Sequence, residues 1–473
     1  MAIKFYPSQI GSIFITPLSY TGSPFKLLLA DLWLVFINLG YFFKVFEPWT
    51  PALSGYLCEL SFTWKNNRDL GLHVFLFFLQ LLFLLSIPIW VLMPVWAVAI
   101  GFTTFWVFNY SICYVLNGPR SVRTYGSARE YAQGRAKHAE ERWLYLNGIC
   151  TGRHWLKCSV DRLALTFGRP VMGIHNRTNG FIFDLIECLV QRNLNYATTD
   201  IRIAYPILKG ELYDKHVERV ILICHSQGGI EGSMIIDWLL AEIPQDLLRK
   251  LEVYTFGNAA NHFNNPHLRR EYQKCALTNP SLPADSAGSK RPVEPRANRN
   301  RNGKSIPHIE HYAHTYEIVS RIGILHFANN YAHDKFAARF MGRIFEVEAT
   351  GHMFVQHYLD TMFPLSERVR ERLQGGGGCT GQRPDNSWGL ERVDEDAEFM
   401  NSVVERRGRV KPGDRLGRED WEVSLVRDPE GGFRGANVAE EGKPGIDAMR
   451  EFQVKLFSRL WLYRNGESPE DEY

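Results

Sequence analysis

The chain has 473 residues, a formal net charge of +3 and 45% hydrophobic residues. That length exceeds one compact core and predicts one large domain with appendages, while the near-neutral charge gives nucleic-acid binding no footing. The eight cysteines (Cys58, Cys113, Cys150, Cys158, Cys188, Cys224, Cys275, Cys379) form no C-x-x-C pair, which excludes a zinc ribbon, speaks against a disulfide framework and favours a reducing compartment for the soluble part.

Residues 1–118 read as a membrane region. From Leu72 to Gly118 the only side chain able to carry charge is His73. As a single helix this run would be about 70 Å long, roughly twice the hydrocarbon thickness. Two helices, 72–92 and 94–116, fit better, broken near Pro88 to Pro94. A weaker stretch, 27–46, carries Asp31, which is costly in lipid; it reads as a third span or as an interfacial helix. The main run lies too far in and is too long for a cleaved signal peptide. Lys65 and Arg68 precede it, and Arg120, Arg123, Arg129, Arg135 and Lys137 follow. A hairpin puts both flanks on one face, and the excess of basic residues predicts a cytosolic face. The sequon Asn176-Arg177-Thr178 would then stay away from the glycosylation machinery. The organelle is not encoded.

Residues 119–140 read as a polar connector, helical toward its end. From 141 to 372 strands alternate with helices. Strands are expected at Trp143–Ile149, Val171–Ile174, Arg219–Ile223, Leu251–Phe256, Ile309–Ala313 and Arg343–Glu348, and helices at 154–167, 180–193, 201–213 and 231–240. This alternation predicts an α/β fold, a mostly parallel sheet flanked by helices. An insert at 278–307, rich in Pro, Asn, Ser and basic residues, reads as a flexible loop; its basic run, Arg296 to Lys304, reads as a solvated loop or a contact for anionic headgroups. A Gly-rich linker at 375–378 opens a charged tail, 373–473, with an amphipathic helix at 446–463 that either packs on the body or lies on the membrane.

The segment Ile221-Leu-Ile-Cys-His-Ser226-Gln-Gly-Gly-Ile230 carries the most chemistry. An apolar strand, a tight turn holding a serine and an amphipathic helix make a nucleophile elbow. Gly228 leaves room for close packing of strand on helix. Cys224 stands where glycine is usual, so the turn is more crowded. A serine hydroxyl needs a base, and the base needs an orienting group. In the chain order serine, acid, histidine, Glu317, past the strand at 309–313, is the candidate acid, with Asp334 as the alternative. His352, after Gly351 on the loop following the last strand, is the candidate base, with His357 as the alternative. Two backbone N–H donors must stabilise the oxyanion. Gln227 supplies one; Ile149 or Cys150 supplies the other, from the turn that includes Asn147 and Gly148. His175 and Asn176 line the same pocket, together with His225.

Residues from about 140 to 365 resemble the α/β-hydrolase superfamily, and most of all lipase-like serine esterases of the membrane-anchored type found in fungi. The matching pieces are Leu146-Asn-Gly-Ile-Cys-Thr-Gly152, Gly173-Ile-His-Asn-Arg-Thr178, His225-Ser-Gln-Gly-Gly229, Thr255-Phe-Gly-Asn-Ala-Ala260 and Gly351-His352. The resemblance implies an α/β-hydrolase fold and hydrolysis of an ester or lipid by a Ser226, acid and histidine triad. It fixes no substrate and says little of the N-terminal region or the tail.

The spacing His308-x-x-His311-x-x-His314 does not predict a metal site, because a strand points His308 and His311 to opposite faces. No G-x-G-x-x-G opens a helix. The expectation is a membrane-tethered serine ester hydrolase without cofactor or metal, acting on a lipid or other acyl ester at a bilayer, with no nucleic-acid partner. The rival expectations are an inactive hydrolase-fold scaffold, and an acyltransferase or thioesterase using the same triad.

Overall fold

The alternating segments settle into a single sheet. The computed structural model describes residues 2–6, 20–132, 138–269, 304–329, 340–374, 388, 391–406 and 453–469. In chain order the strands are Ala2–Tyr6 (β1), Thr124–Gly126 (β2), Glu141–Leu146 (β3), Val171–Ile174 (β4), Arg219–His225 (β5), Leu251–Phe256 (β6), His308–His314 (β7), Arg343–Val347 (β8) and Val403–Arg406 (β9). Their spatial order is β2-β4-β3-β5-β6-β7-β8-β1-β9. The six central strands, β4 to β8 in that order, are parallel. β2 is antiparallel to β4, and β1 runs antiparallel to β8 but parallel to β9.

The helices are Pro24–Asn38 (α1), Trp64–Trp90 (α2), Val95–Asn117 (α3), Arg153–Phe167 (α4), Phe181–Leu194 (α5), Thr199–Tyr213 (α6) and Gln227–Glu242 (α7), with shorter turns between them. Successive residues of a strand point to opposite faces. Trp143, Tyr145, Ile221 and Ile223 therefore enter a core shared with Leu156, Val160 and Leu163 of α4. Leu144, Leu146, Val220, Leu222 and Cys224 enter a second core with Ile201 and Leu208 of α6 and Ile230, Ile235 and Leu239 of α7. Both faces of the sheet are covered, which accounts for the continuous apolar run in β5. The chain leaves β3 for β4 on one side and returns to β5 on the other. The crevice past the carboxyl ends of β3 and β5 is thus a topological switch point, where sheets of this kind bind ligands.

Three helices, Pro24–Tyr41, Trp64–Trp90 and Val95–Asn117, are long and apolar enough to cross a membrane. α2 and α3 form an antiparallel hairpin. Gln80 Nε2 donates to Asn109 Oδ1 at 2.9 Å, and Phe83 stacks on Phe105. α2 starts at Trp64, well before the expected 72, because Asn66, Asp69, His73, Leu76 and Gln80 form one buried stripe against the body. The stretch expected at 27–46 is helical only to Asn38 and then proceeds in short 3₁₀ turns. Asp31 is not left bare: it is buried and pairs with Arg192 Nη2 at 2.8 Å.

Several expectations are corrected. Residues 2–6 belong to the sheet rather than to a membrane region, held by ladders on both edges. The described part of the connector 119–140 has no helix and contributes the edge strand β2. The tail helix expected at 446–463 is replaced, over its described part, by two 3₁₀ turns, Val454–Leu456 and Leu460–Gly466. They pack on the body, where Arg459 Nη2 meets Glu252 Oε1 at 2.9 Å and the Tyr463 hydroxyl donates to Glu252 at 2.8 Å. Its apolar side chains Val454, Phe457, Leu460 and Trp461 are buried in the core of the body beside those paired charges. Of the insert 278–307 only Lys304 to Pro307 is described, and there Lys304, Ser305 and Ile306 are buried rather than solvated. The alternative acid Asp334 and the linker at 375–378 lie outside the described residues.

Candidate active site

β5 ends in His225, and α7 starts at Gln227, so Ser226 alone makes the turn. Its backbone sits at φ 57°, ψ −120°, a region that a residue with a Cβ occupies only when its surroundings force it. Those surroundings are tight. A Cβ on Gly228 would lie 2.4 Å from the Leu146 carbonyl oxygen, and one on Gly148 would lie 2.5 Å from Ser226 Cβ. The crowding expected from Cys224 is relieved from the helix side. Gly232 of α7 faces it, and a Cβ there would lie 2.8 Å from Cys224 Sγ. Ser226 N donates to Phe256 O at 3.0 Å, and Ser226 O accepts from Ala259 N at 3.2 Å.

Glu317 lies past the tip of β7 and caps a short helix, Ile318–Ile322. Its fully buried carboxylate accepts from Val319 N at 2.6 Å, Ser320 N at 3.0 Å and Ser320 Oγ at 2.5 Å. It also faces His352 Nδ1, with an N–O separation of 2.9 Å. Burial works against ionisation here, but the His352 charge and the donors on Ser320 outweigh it and hold the acid down to about 2.

His352 and His357 are separated by their partners. His357 Nδ1 accepts from Met353 N at 2.9 Å, and Nε2 bonds to the Pro48 carbonyl at 2.9 Å. Both nitrogens are engaged, and burial pushes its pKa down to about 4. It is a neutral bracing group. His352 is the ring that faces Glu317, and its buried Nε2 has no hydrogen-bond partner among the described residues. The Ser226 Oγ to His352 Nε2 bond is therefore not closed in this conformation. The two residues lie beside the same turn. His225 packs its ring 4.6 Å from that of His352 and bonds through Nε2 to the His352 carbonyl at 2.8 Å, while a Cβ on Gly257 would fall 2.8 Å from the His352 ring. Burial also drives the His225 pKa well below its usual value.

Gln227 is the first residue of α7, so its N–H has no acceptor within the helix. Its side chain is held by Asn176 Nδ2 at 2.7 Å and Gln191 Oε1 at 3.1 Å. Of the two residues expected to give the second N–H, Cys150 is already engaged. Its N–H already donates to Asp184 Oδ2 at 2.9 Å, at a backbone φ of 55°. Ile149 remains. Asn147 fastens this turn to the neighbouring loop, donating to Asn176 O at 2.8 Å and accepting from Asn176 N at 3.0 Å. His175 bonds to Thr151 O at 3.1 Å, and burial lowers it to about 4; it braces the turn from behind. His311 is engaged by Thr255 Oγ1 at 2.6 Å and Met341 O at 3.0 Å. Among the described residues no group of three His, Cys, Asp or Glu side chains is placed to hold a metal.

Two acids that hold the site together do not stand out in the sequence reading. Asp184 accepts from Cys150 N, Thr178 Oγ1 and Asn179 N, fixing the turn at 147–152, and burial raises it to about 7. Glu59 accepts from Val355 N at 2.9 Å and Gln356 N at 3.2 Å, just past His352, and burial raises it to about 7 as well. The usable signal is a lone carboxylate inside an apolar run, as in Leu57-Cys-Glu-Leu60 and Phe181-Ile-Phe-Asp-Leu185.

Segment 39–62 closes over the same loop. Gly351 N donates to Lys44 O and His352 N to Val45 O, both at 2.9 Å. Ser226 and His352 are 3% and 6% exposed, so the site is shut. No family model, curated protein or solved structure matches this chain.

Proposed function

We propose that this chain is a membrane-tethered serine hydrolase of α/β-hydrolase type that cleaves acyl esters, with lipid esters as the substrate class. The observation that carries the reading is the strained Ser226 at the strand-to-helix turn, at the same end of the sheet as a buried Glu317–His352 pair. Ser226 Oγ attacks the ester carbonyl as its proton passes to His352 Nε2. Ionised Glu317 stabilises the imidazolium that forms. The N–H groups of Gln227 and Ile149 receive the oxyanion. The alcohol leaves with the proton from His352, and water, deprotonated by the same ring, releases the acid from Ser226. The open Ser226–His352 contact closes in the substrate complex, as such contacts commonly do. The three apolar helices support a lipid substrate because they hold the catalytic end near a bilayer. Basic residues at both feet of the hairpin favour a cytosolic catalytic domain.

A fluorophosphonate probe is expected to label the wild-type chain and leave Ser226→Ala unlabelled. Equal labelling of the two refutes the nucleophile. The same three groups would also serve a second reaction, acyl transfer to an alcohol rather than to water. Product analysis with both acceptors separates the two.

A further inference from the structure

The three apolar helices differ in how they meet the body. α1 is pinned at its start, middle and end. Tyr20, ahead of its first turn, stacks on His262 with ring centroids 4.1 Å apart and accepts from Asn264 Nδ2 at 3.0 Å. Asp31 pairs with Arg192 at 2.8 Å, and Asn38 Oδ1 accepts from Arg321 Nε at 2.8 Å. A helix that crosses a bilayer places its two ends on opposite sides of about 30 Å of hydrocarbon. A helix tied to one body at three successive points lies along it. Its other face carries Phe25, Leu29, Trp33 and Phe36, exposed by 62% to 78%.

α5 packs between α1 and α2 and turns Ile186 and Leu194 outward, with Tyr196 exposed just past its end. It also marks how far the hairpin is held. Gln80 donates to Asn179 O at 2.6 Å and accepts from Ile182 N at 3.2 Å, and Trp106 stacks on Phe183 at 5.8 Å. Beyond these contacts about ten residues remain in each helix. That is a reach of about 15 Å, half the hydrocarbon thickness. At the tip Val91, Leu92 and Val95 are 85% to 86% exposed. Arg192, the partner of Asp31, also donates to Ala259 O, and Ala259 N donates to Ser226 O. The apolar layer and the nucleophile thus share one end of the molecule.

We propose that α1, α5 and the tip of the α2–α3 hairpin seat in one leaflet of a bilayer without crossing it, and that the ester enters sideways from that leaflet. The second half of this inference rests on the hydrolase reading; the first does not. The occupant is hydrocarbon, because the hairpin carries no charged residue from Val74 through its tip to Gly118 and the outward face of α1 is apolar apart from Lys26 in its first turn, where a long side chain reaches the headgroups.

The test places a cysteine at the tip, Leu92→Cys, in the full chain in sealed vesicles, with a membrane-impermeant maleimide added from each side. Glu218→Cys, exposed on the body, marks the body side. Leu92→Cys is expected to stay at the wild-type background from both sides and to label only after detergent. Labelling from the side opposite the body means a crossing hairpin, and labelling from the body side means an uninserted one; either result overturns the proposal. For entry, Leu92→Glu is expected to slow turnover of a long-chain ester in vesicles at least ten-fold, with a short water-soluble ester unaffected. Equal rates on both esters overturn sideways entry. The maleimide readout does not use Ser226, so insertion and hydrolysis fail separately.

Discussion

The elbow at Ser226 and the segment 39–62 both position proposed catalytic groups, by opposite means. The elbow is local. Strand, serine and helix are contiguous, and their tight packing comes from Gly148, Gly228 and Gly232, within one βα unit and its neighbour. Segment 39–62 acts at long range: Lys44 and Val45 hold the backbone of Gly351 and His352, and Glu59 caps the turn after it from 296 positions upstream. A local device can be read from a motif. A long-range one is written as isolated polar residues in apolar surroundings, and its purpose shows only when the distant partner is in place. The proposed base is therefore held by a segment far upstream in the chain, while the proposed nucleophile is held by the sheet.

The largest effect separates the two histidines. His352→Ala is expected to lower turnover by about ten-thousand-fold, since the base and the acid of both half-reactions are lost together. His357→Ala removes a brace between Met353 and Pro48, and is expected to lower Tm while kcat stays within about ten-fold. Rates measured on purified protein decide it; the reverse pattern would reassign the base. Next comes the charge that ties α1 down. Asp31→Ala leaves Arg192 buried without its counter-charge, a loss on the order of 3–5 kcal/mol, read as a fall in the denaturant midpoint of the micelle-bound chain. An unchanged midpoint would mean that α1 is not fastened there.

The Glu317 carboxyl offers a pH test. Its folded value of about 2 lies below its unfolded reference of 4.5. The unfolded chain therefore binds more protons between those values, and the stabilisation is full above 4.5 and lost as pH falls toward 2. The shift corresponds to roughly 3 kcal/mol. Stability is expected to drop by about that amount over the window in the wild type, and much less in Glu317→Gln. Parallel pH profiles for the two chains would show that the acid is not held ionised by His352 and Ser320.

Much of this arrangement was legible in advance. Apolar runs at period two and helices at period 3.6 placed β3 to β8 and α4 to α7 within a few residues, because burial of both sheet faces leaves a strong pattern. The positions of the proposed Ser226, Glu317 and His352 were legible because each follows a strand tip, where a parallel sheet presents its loops. β1, β2 and β9 were not: each is an edge or near-edge strand of three to five residues, too short for periodicity and dependent on partners far away. The choice between Ile149 and Cys150 was not legible, because a turn shows which N–H groups exist but not which are engaged; Asp184, in the first turn of α5, accepts from Cys150. The tail misled because its apolar stripe fits a helix as well as it fits 3₁₀ turns locked by Glu252 and Glu310.

The smallest effect probes why the elbow tolerates Cys224. Alanine at Gly232 gains about 1 kcal/mol of helix propensity but brings a methyl to 2.8 Å from a fully buried Sγ, and overpacking of that kind costs about 1–3 kcal/mol. Gly232→Ala should therefore be destabilising by about 1 kcal/mol in the native chain. In a Cys224→Ala background the sulfur is gone, only the propensity gain remains, and the same change should become stabilising. Contacting residues couple and distant ones add, so a double-mutant cycle with an interaction of about 1–2 kcal/mol places the compensation between these two side chains. Additive effects would mean that strand and helix shift apart to admit the methyl. Fluorophosphonate labelling of Ser226 should then fall in Gly232→Ala, because the turn that presents the hydroxyl depends on that close approach.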